Sequence, residues 1–179
     1  YHVLTSGETR GTRGDITFIT ATDGNHGRGV AWTASTLGQK SVVHMPRGSA
    51  AERLQNIRSA GAEADIIDGN YDEAVRLSRK EAAENGWVIV QDTSWPGYEE
   101  IPAWIMQGYC TMGLEAYEQL PQKPTHIFLQ AGVGSMAGTI AALFASIYQE
   151  NRPKVIIVEP EQADCFYRTA RADDGNLLF

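Results

Sequence analysis

Basic residues are scarce in this sequence, which has 15 lysines and arginines against 22 aspartates and glutamates. The resulting net charge of -7, without any stripe of basic residues, argues against nucleic acids and anionic membranes as partners, because both attract positive surfaces. Cysteine is also scarce. Cys110 and Cys165 stand far apart, with no metal-site spacing around them. Two separate thiols are typical of a reducing compartment, so we expect a cytoplasmic protein.

Long apolar runs are missing as well. The longest, IAALFASIY, falls short of the roughly 18 to 20 residues that a membrane-spanning helix needs. No stretch combines basic residues with a long apolar block, so no signal peptide is expected. Hydrophobic residues still make up 42% of the 179 positions, enough for one good core or two small lobes. The composition predicts a soluble globular protein with no membrane partner.

Short, β-branched apolar runs alternate with helical patterns along the chain. Strands are predicted at residues 16–21, 41–46, 62–68, 87–92, 125–130 and 154–160. Helices are predicted at residues 25–38, 49–61, 71–86, about 99–120, 139–150 and from Ala163 onward. Ser49 and Glu52 have the spacing of a capping box for the second helix. The alternation indicates an α/β fold, with parallel sheets covered by helices.

Three loops at the predicted carboxyl ends of strands carry unusual residues. Ligands of parallel α/β proteins bind at this edge of the sheet. The loops are TDGNHG (22–27), QDTSWPGY (91–98) and AGVGSMAG (131–138). In the third loop, Gly132, Gly134 and Gly138 remove side chains, so backbone N–H groups can face an anion at a helix N-terminus. A phosphate group is the natural ligand for such a loop.

Each loop also has a purely structural interpretation. Asp23 or Asn25 could cap the helix that follows, and Asp92 could form a turn against which Trp95 packs. The glycines could serve only a tight turn. These alternatives remain open on spacing alone.

The glycine loop admits a second functional hypothesis. Gly132, Gly134 and Ala137 fit G-x-G-x-x-A, and Glu159 ends the next strand, where a ribose-binding acid would stand. A nicotinamide-dependent oxidoreductase would follow. However, that fingerprint usually follows the first strand of its domain, and at least four predicted strands precede it here.

Together, the loops resemble those of the fold type II pyridoxal-phosphate enzymes. That group carries S-S-G-N-H-G, where this sequence has TDGNHG, and a glycine-rich phosphate cup that AGVGSMAGT matches. QGYCTMGLE (107–115) is similar to the group's G-Q-G-T-x-x-x-E stretch, with altered spacing. The resemblance covers about residues 16–170. The aspartate variant of the first loop, with QDTSWPGY and IPAWIMQGYCT, resembles the members that eliminate ammonia from 2,3-diaminopropionate.

The resemblance implies pyridoxal 5'-phosphate as the cofactor and a small amino acid as the substrate. Asn25 would contact the phenolic oxygen of the pyridoxal ring, and the phosphate would lie against Gly132, Val133, Gly134, Ser135, Met136 and Gly138. Substrate-binding residues would be Thr22, Gly24, His26 and Tyr98. Asp23 takes the place of a proton-transfer serine on the substrate face opposite the Schiff-base lysine. Asp92 would hold the substrate's β-ammonium.

An aspartate at position 23 has a chemical rationale in this setting. A carboxylate with an ordinary pKa of about 4 is a stronger base than a hydroxyl, and burial can raise its pKa further. With a base on each face, such an enzyme would accept both D and L substrates and release pyruvate and ammonia. The nearest alternative within the group is a serine or threonine dehydratase, in which a hydroxyl leaves instead.

The sequence departs from the group in one respect, because no lysine precedes Lys40. The group's Schiff-base lysine lies some tens of residues before the first loop, and its pyridine-nitrogen partner is expected beyond Phe179. We therefore interpret the chain as an internal portion of a longer enzyme, inactive alone. A small-molecule sensor that kept the pocket and lost the lysine is a non-enzymatic alternative.

The resemblance also implies a domain organisation. Residues 1–15 would be a leader or remnant, 16–112 a small α/β domain, and 113–179 the start of the returning large domain. Asp23 and the phosphate cup would then face one cleft from different domains. The complete enzyme is expected to be a homodimer.

Overall fold

A computed structural model describes residues 14–173 of the chain. The chain forms two compact units, Tyr1–Gln91 and Asp92–Phe179. All strand pairs within each unit are parallel, and helices alternate with strands, so the predicted α/β class is confirmed. The predicted leader, 1–15, lies almost wholly outside the described residues. The domain boundary predicted after residue 112 falls inside a helix, Glu100–Gln119, and stays a prediction for the complete enzyme.

The first unit is built on a four-stranded sheet in the order β3-β2-β1-β4. Its strands are β1 (Thr17–Ala21), β2 (Lys40–Met45), β3 (Glu63–Ile66) and β4 (Val88–Ile89). Its helices are α1 (Asn25–Thr36), α2 (Ala51–Ser59) and α3 (Tyr71–Asn85). Strand β4 is much shorter than the predicted strand 87–92.

The capping box lies on a different helix from the one predicted. The Asn70 side chain accepts a hydrogen bond from the Glu73 backbone N–H at 2.9 Å, and the Glu73 carboxylate accepts one from the Asn70 N–H at 2.7 Å. The predicted cap, Ser49, is wrong. Helix α2 is instead preceded by Ala50 at its N-cap position, without a side-chain cap, and the Ser49 hydroxyl is buried with no hydrogen-bond partner. Both pairs, Asn70 with Glu73 and Ser49 with Glu52, are three residues apart. Only Asn70 forms a cap, because its helix begins at the next residue, whereas α2 begins two residues after Ser49.

The core of the first unit lies between the sheet and helices α1 and α2. Its buried members are Ala31, Val43, Met45, Ile57 and Ala62. Full burial of a side chain the size of Val43 or Ile57 contributes roughly 1.5–3 kcal/mol. The small alanines let the helices pack closely against the strands. This packing holds in place the edge of the sheet where β1 ends and the TDGNHG loop begins.

A charged cluster is attached to this sheet through His44. The His44 ring, which is buried, lies 2.7 Å from the Asp65 carboxylate and 3.0 Å from that of Glu81. Burial alone would lower the pKa of His44, but hydrogen bonds to Glu81 and Asp65 and the charges of both carboxylates outweigh it. The pKa is therefore raised above 6.5. The cluster links β2, β3 and α3.

The His44 cluster makes stability depend on pH. Because its pKa is raised in the folded state, its contribution is fully present below pH 6.5 and is lost as the pH rises through the folded-state pKa. We expect His44→Gln to remove this part of the dependence. Over a measured range of about pH 5 to 8, the parent should keep its advantage over the variant below pH 6.5 and lose it as the pH rises further. Thermal unfolding midpoints across this range test the prediction, with His126→Gln, at an exposed histidine, as the control. Parallel curves for the parent and His44→Gln would contradict it.

The second unit contains a two-stranded parallel sheet of β5 (His126–Gln130) and β6 (Lys154–Val158). Its helices are α4 (Glu100–Gln119), α5 (Ser135–Tyr148) and α6 (Cys165–Ala172), with a 3-10 turn at Gln149–Asn151. The buried core consists of Leu129, Ala137, Ile140 and Phe144. Phe128, pointing away from that core, is 67% exposed. None of the helices within residues 14–173 combines the length and the hydropathy that a membrane-spanning segment requires.

Candidate functional site

The TDGNHG loop leaves the end of β1 and turns at once into α1. The Thr22 backbone N–H donates to the His44 carbonyl at 3.0 Å, which extends the β1–β2 pairing by one residue. The buried Thr22 hydroxyl accepts from the N–H groups of Gly24 and Gly27 at 3.0 and 3.2 Å. Thr22 therefore fixes the turn from within, and its hydroxyl is committed to the loop.

Asp23 lies at the outer surface of this turn. Its side chain is 76% exposed, so the described residues do not supply the burial expected around this carboxylate. Arg53, from α2, reaches across the loop. It donates to the Asp23 carbonyl at 3.0 Å, and its guanidinium lies 3.9 Å from the Asp23 carboxylate. No motif in the sequence pointed to Arg53, because only the packing of α2 brings it here.

The other polar residues of the loop point in different directions. Asn25 is the exposed first residue of α1, where the first N–H groups of a helix have no intrahelical acceptor. His26 points inward instead. Its Nε2 lies 2.8 Å from the Val90 carbonyl and 3.1 Å from the Thr20 hydroxyl. The His26 ring anchors α1 to the sheet, so its predicted substrate contact would have to come from the backbone.

The QDTSWPGY loop forms a tight turn closed by two aromatic rings. Trp95 and Tyr98 stack with their centroids 4.2 Å apart, and the Tyr98 N–H donates to the Trp95 carbonyl at 2.8 Å. Gly97 adopts φ +85° between them. Burial and the negative charge of Asp92 both raise the pKa of Tyr109, on α4. Tyr109 is a neighbour of Asp92 that sequence reasoning missed.

The glycine loop connects β5 to α5. Gly134 is the N-cap of α5 in the left-handed conformation, with φ +87°. Helix α5 begins at Ser135, four residues earlier than predicted, so Gly138 lies within the helix and its N–H donates to the Gly134 carbonyl at 2.8 Å. Helix geometry therefore leaves the N–H groups of Ser135, Met136 and Ala137, which precede Gly138, without an intrahelical acceptor.

Glu159 closes the N-terminus of the neighbouring helix α6. Its carboxylate accepts from the N–H groups of Phe166 at 3.0 Å and Tyr167 at 2.8 Å. Partial desolvation would raise the pKa of Glu159, but these bonds and one from the Cys165 thiol lower it overall. The pKa of Cys165 is raised, first by burial and then by Glu159, which favours the neutral thiol. Glu159 is thus committed to a helix cap and is not available to bind a ribose.

The glycine loop fits a phosphate group. A Cβ atom at Gly132 would meet no atom within 4 Å, and α5 has no acidic side chain in its first turn. The positive end of the helix dipole and the N–H groups without an intrahelical acceptor therefore face a loop that is open at Gly132 and carries no charged side chain of its own, which is the usual setting for a bound phosphate.

Comparison with known proteins agrees with this geometry. The family of pyridoxal-phosphate dependent enzymes matches residues 1–176. The chain belongs to this family, so the cofactor predicted from the sequence, pyridoxal phosphate, is confirmed, and the nicotinamide hypothesis built on Gly132, Gly134 and Glu159 is wrong.

Within the family, individual relatives differ in how similar they are to this chain. The diaminopropionate ammonia-lyase of Salmonella typhimurium is 59% identical over 165 residues, which cover 90% of this chain and 41% of that protein. The crystal structure of diaminopropionate ammonia lyase from Escherichia coli with an aminoacrylate-PLP azomethine reaction intermediate has a TM-score of 0.87 at 50% identity. The structural match covers 92% of this chain and 43% of the Escherichia coli chain. An L-threonine ammonia-lyase of Geobacter sulfurreducens is 32% identical over 145 residues, 81% of this chain and 33% of that protein.

Phe166 packs against one end of the glycine loop, at Gly134. A Cβ at Gly134 would lie 2.5 Å from Phe166 Cζ, and the left-handed φ of Gly134 disfavours any side chain. We expect Gly134→Ala to lower the stability of the complete enzyme by about 3 kcal/mol and to weaken cofactor binding. Gly132→Ala is the matched control for stability, because it meets neither constraint. Thermal unfolding without cofactor compares the two, and equal midpoints would refute the close packing of Phe166.

Proposed function

We propose that the complete enzyme eliminates ammonia from 2,3-diaminopropionate, in both its D and L forms, to give pyruvate and a second ammonia. The observation that carries this proposal is Asp23, a carboxylate in the loop after β1, in a chain 59% identical to a diaminopropionate ammonia-lyase. Identity to a threonine ammonia-lyase is much lower, at 32%, which disfavours the dehydratase alternative.

Some residues of this chain would bind the cofactor and substrate, and others would transfer protons. The open N-terminus of α5 and the loop from Gly132 to Met136 would hold the cofactor phosphate, and Asn25 would contact the phenolic oxygen. When bound, pyridoxal phosphate acts as an electron sink for negative charge at the substrate α-carbon. The exposed first N–H groups of α1, with Thr22 and Gly24 shaping the turn, would take the substrate carboxylate.

The two aspartates would act on opposite ends of the substrate. Asp23 would remove the α-proton of the D isomer, from the face that the Schiff-base lysine cannot reach. Asp92, with Tyr98 on the same loop, would hold the β-ammonium by charge-assisted hydrogen bonds. The β-ammonium is already protonated at neutral pH, so it can leave as ammonia without a further acid.

Substrate choice tests the proposed function directly. The full-length enzyme is expected to release pyruvate from D- and L-2,3-diaminopropionate much faster than from D-serine, and to release little 2-oxobutanoate from L-threonine. Faster turnover of the hydroxyl substrates would make the protein a dehydratase, whereas binding of the amino acids without turnover would support the sensor alternative.

The remaining expectations concern the complete enzyme in the cell. We infer a homodimer that acts in amino-acid breakdown in the cytoplasm. The two free thiols, Cys110 and Cys165, support a reducing compartment. Light scattering of the purified full-length enzyme tests the dimer.

A further inference from the structure

The side chain of Gln91 replaces a missing stretch of β-sheet. Strand β4 ends at Ile89, and after the Val90 N–H bond to the Ile19 carbonyl the backbone pairing with β1 stops. From there the Gln91 amide pairs with Ala21. Its Oε1 accepts from the Ala21 N–H at 3.0 Å, and its Nε2 donates to the Ala21 carbonyl at 3.0 Å. A side chain thus holds both backbone groups of the last residue of β1.

The Gln91 amide has no hydrogen-bonding capacity to spare. Oε1 also accepts from the Thr20 hydroxyl at 3.0 Å, and Nε2 also donates to the Tyr71 hydroxyl at 2.8 Å. Gln91 is fully buried, so each of these bonds is expensive to leave unmade. Only a group with an acceptor and a two-hydrogen donor side by side satisfies all four partners, which an amide does and an apolar side chain cannot.

This amide stands directly behind the Asp23 loop. Ala21 is two residues before Asp23, and the same two chain segments are joined again by His26, which bonds to Thr20 and Val90. The Arg53 contact from outside is exposed, whereas the Gln91 contacts are internal and geometrically fixed. Gln91 therefore holds the end of β1 from inside the sheet, two residues before Asp23.

We propose that Gln91 is a positioning residue for Asp23, acting through Ala21 to aim the carboxylate at the substrate. This inference rests on the proposed function, because it assigns Gln91 a share in D-isomer turnover. A merely structural Gln91 would affect both isomers alike when it is replaced. A positioning Gln91 lowers kcat selectively for the D isomer, because only that isomer loses its α-proton to Asp23. An effect on the substrate carboxylate, which the same loop would bind, changes KM for both isomers.

The test uses Gln91→Met in the full-length holoenzyme, which keeps the side-chain volume and removes the amide. We expect kcat for the D isomer to fall about 10- to 100-fold, with little change for the L isomer, because a small misplacement of a reacting group has effects of this size. Hydrogen exchange of the segment containing Ala21 should become faster in the same variant. Tyr71→Phe, which removes one partner of Nε2, should shift the D-to-L ratio in the same direction by a smaller factor if Gln91→Met does not fold.

Two comparisons decide the outcome. Ile57→Val, a core change away from this network, should leave the D-to-L ratio at its parental value. In an Asp23→Asn background, Gln91→Met should cause no further loss of kcat on the D isomer, because a residue that acts through Asp23 cannot act without it. Equal losses on both isomers, or losses that multiply in the double variant, would overturn the positioning role. Absence of pyruvate from the parent enzyme would instead refute the proposed lyase itself.

Discussion

In the complete enzyme, Asp23→Asn is expected to slow ammonia release from D-2,3-diaminopropionate by about 10²- to 10⁴-fold, the usual contribution of a positioned general base. Asparagine keeps the size of the side chain and can still contact Arg53 through its amide oxygen, so the loop should keep its shape. What it loses is the ability to accept the α-proton. The L isomer, whose proton lies on the other face, should lose much less.

Asp92→Asn is the matched comparison for this prediction. Its carboxylate is proposed to hold the β-ammonium, which both isomers carry, so its removal should raise KM for D and L substrates alike. Steady-state kinetics of pyruvate release from each isomer measure both variants. If Asp23→Asn slowed pyruvate release from the two isomers equally, Asp23 would not occupy the face of the substrate assigned to it.

Gly27→Ala is expected to lower the free energy of unfolding of the complete enzyme by about 3 kcal/mol. A Cβ at Gly27 would overlap Thr22 Cγ2 and come within 2.9 Å of Val43 Cγ1, in the buried angle between α1 and the sheet. Thr22 cannot rotate away without cost, because its hydroxyl accepts the Gly24 and Gly27 N–H groups. Relief of the overlap must therefore move the loop that carries Asp23.

Gly29→Ala provides the contrast within the same helix. A Cβ at Gly29 would meet nothing within 4 Å, and alanine is a better helix former than glycine by up to about 1 kcal/mol. The two variants are thus predicted to change stability in opposite directions from positions two residues apart. Thermal unfolding of both measures the difference, and a Gly27→Ala protein as stable as the parent would show that α1 can move away from the sheet.

The alternation of strands and helices was predictable because buried parallel strands require continuous apolar residues, a pattern that the sequence displays openly. The end of β4 was not predictable in this way. WVIVQD reads as one strand, yet pairing by the backbone stops at Val90 and continues through the Gln91 side chain, which depends on a partner 70 residues away. The Ser49 cap failed for a similar reason, since local spacing does not say where the chain enters the helix.

The candidate site was predictable to the extent that its chemistry is local. Asp23 and the glycine loop stand out because their residue types are unusual directly after apolar runs. The contacts of Arg53 with Asp23 and of Phe166 with Gly134 come from helices that meet these loops only after folding, and nothing in their own sequence surroundings marks them. The inward turn of His26 likewise depends on the Val90 carbonyl, 64 residues away.

The carboxylate of Glu159 has a consequence for where the proposed cofactor phosphate would bind in the second unit. Two helices, α5 and α6, begin beside the glycine loop, and each presents a partial positive charge where it starts. At α6 that charge is already neutralised by an anion built into the chain, whereas α5 has none in its first turn. Among the described residues of the second unit, Glu159 thus neutralises one of two neighbouring helix N-termini. The other, at α5, is left for the dianionic phosphate group that we propose to bind there.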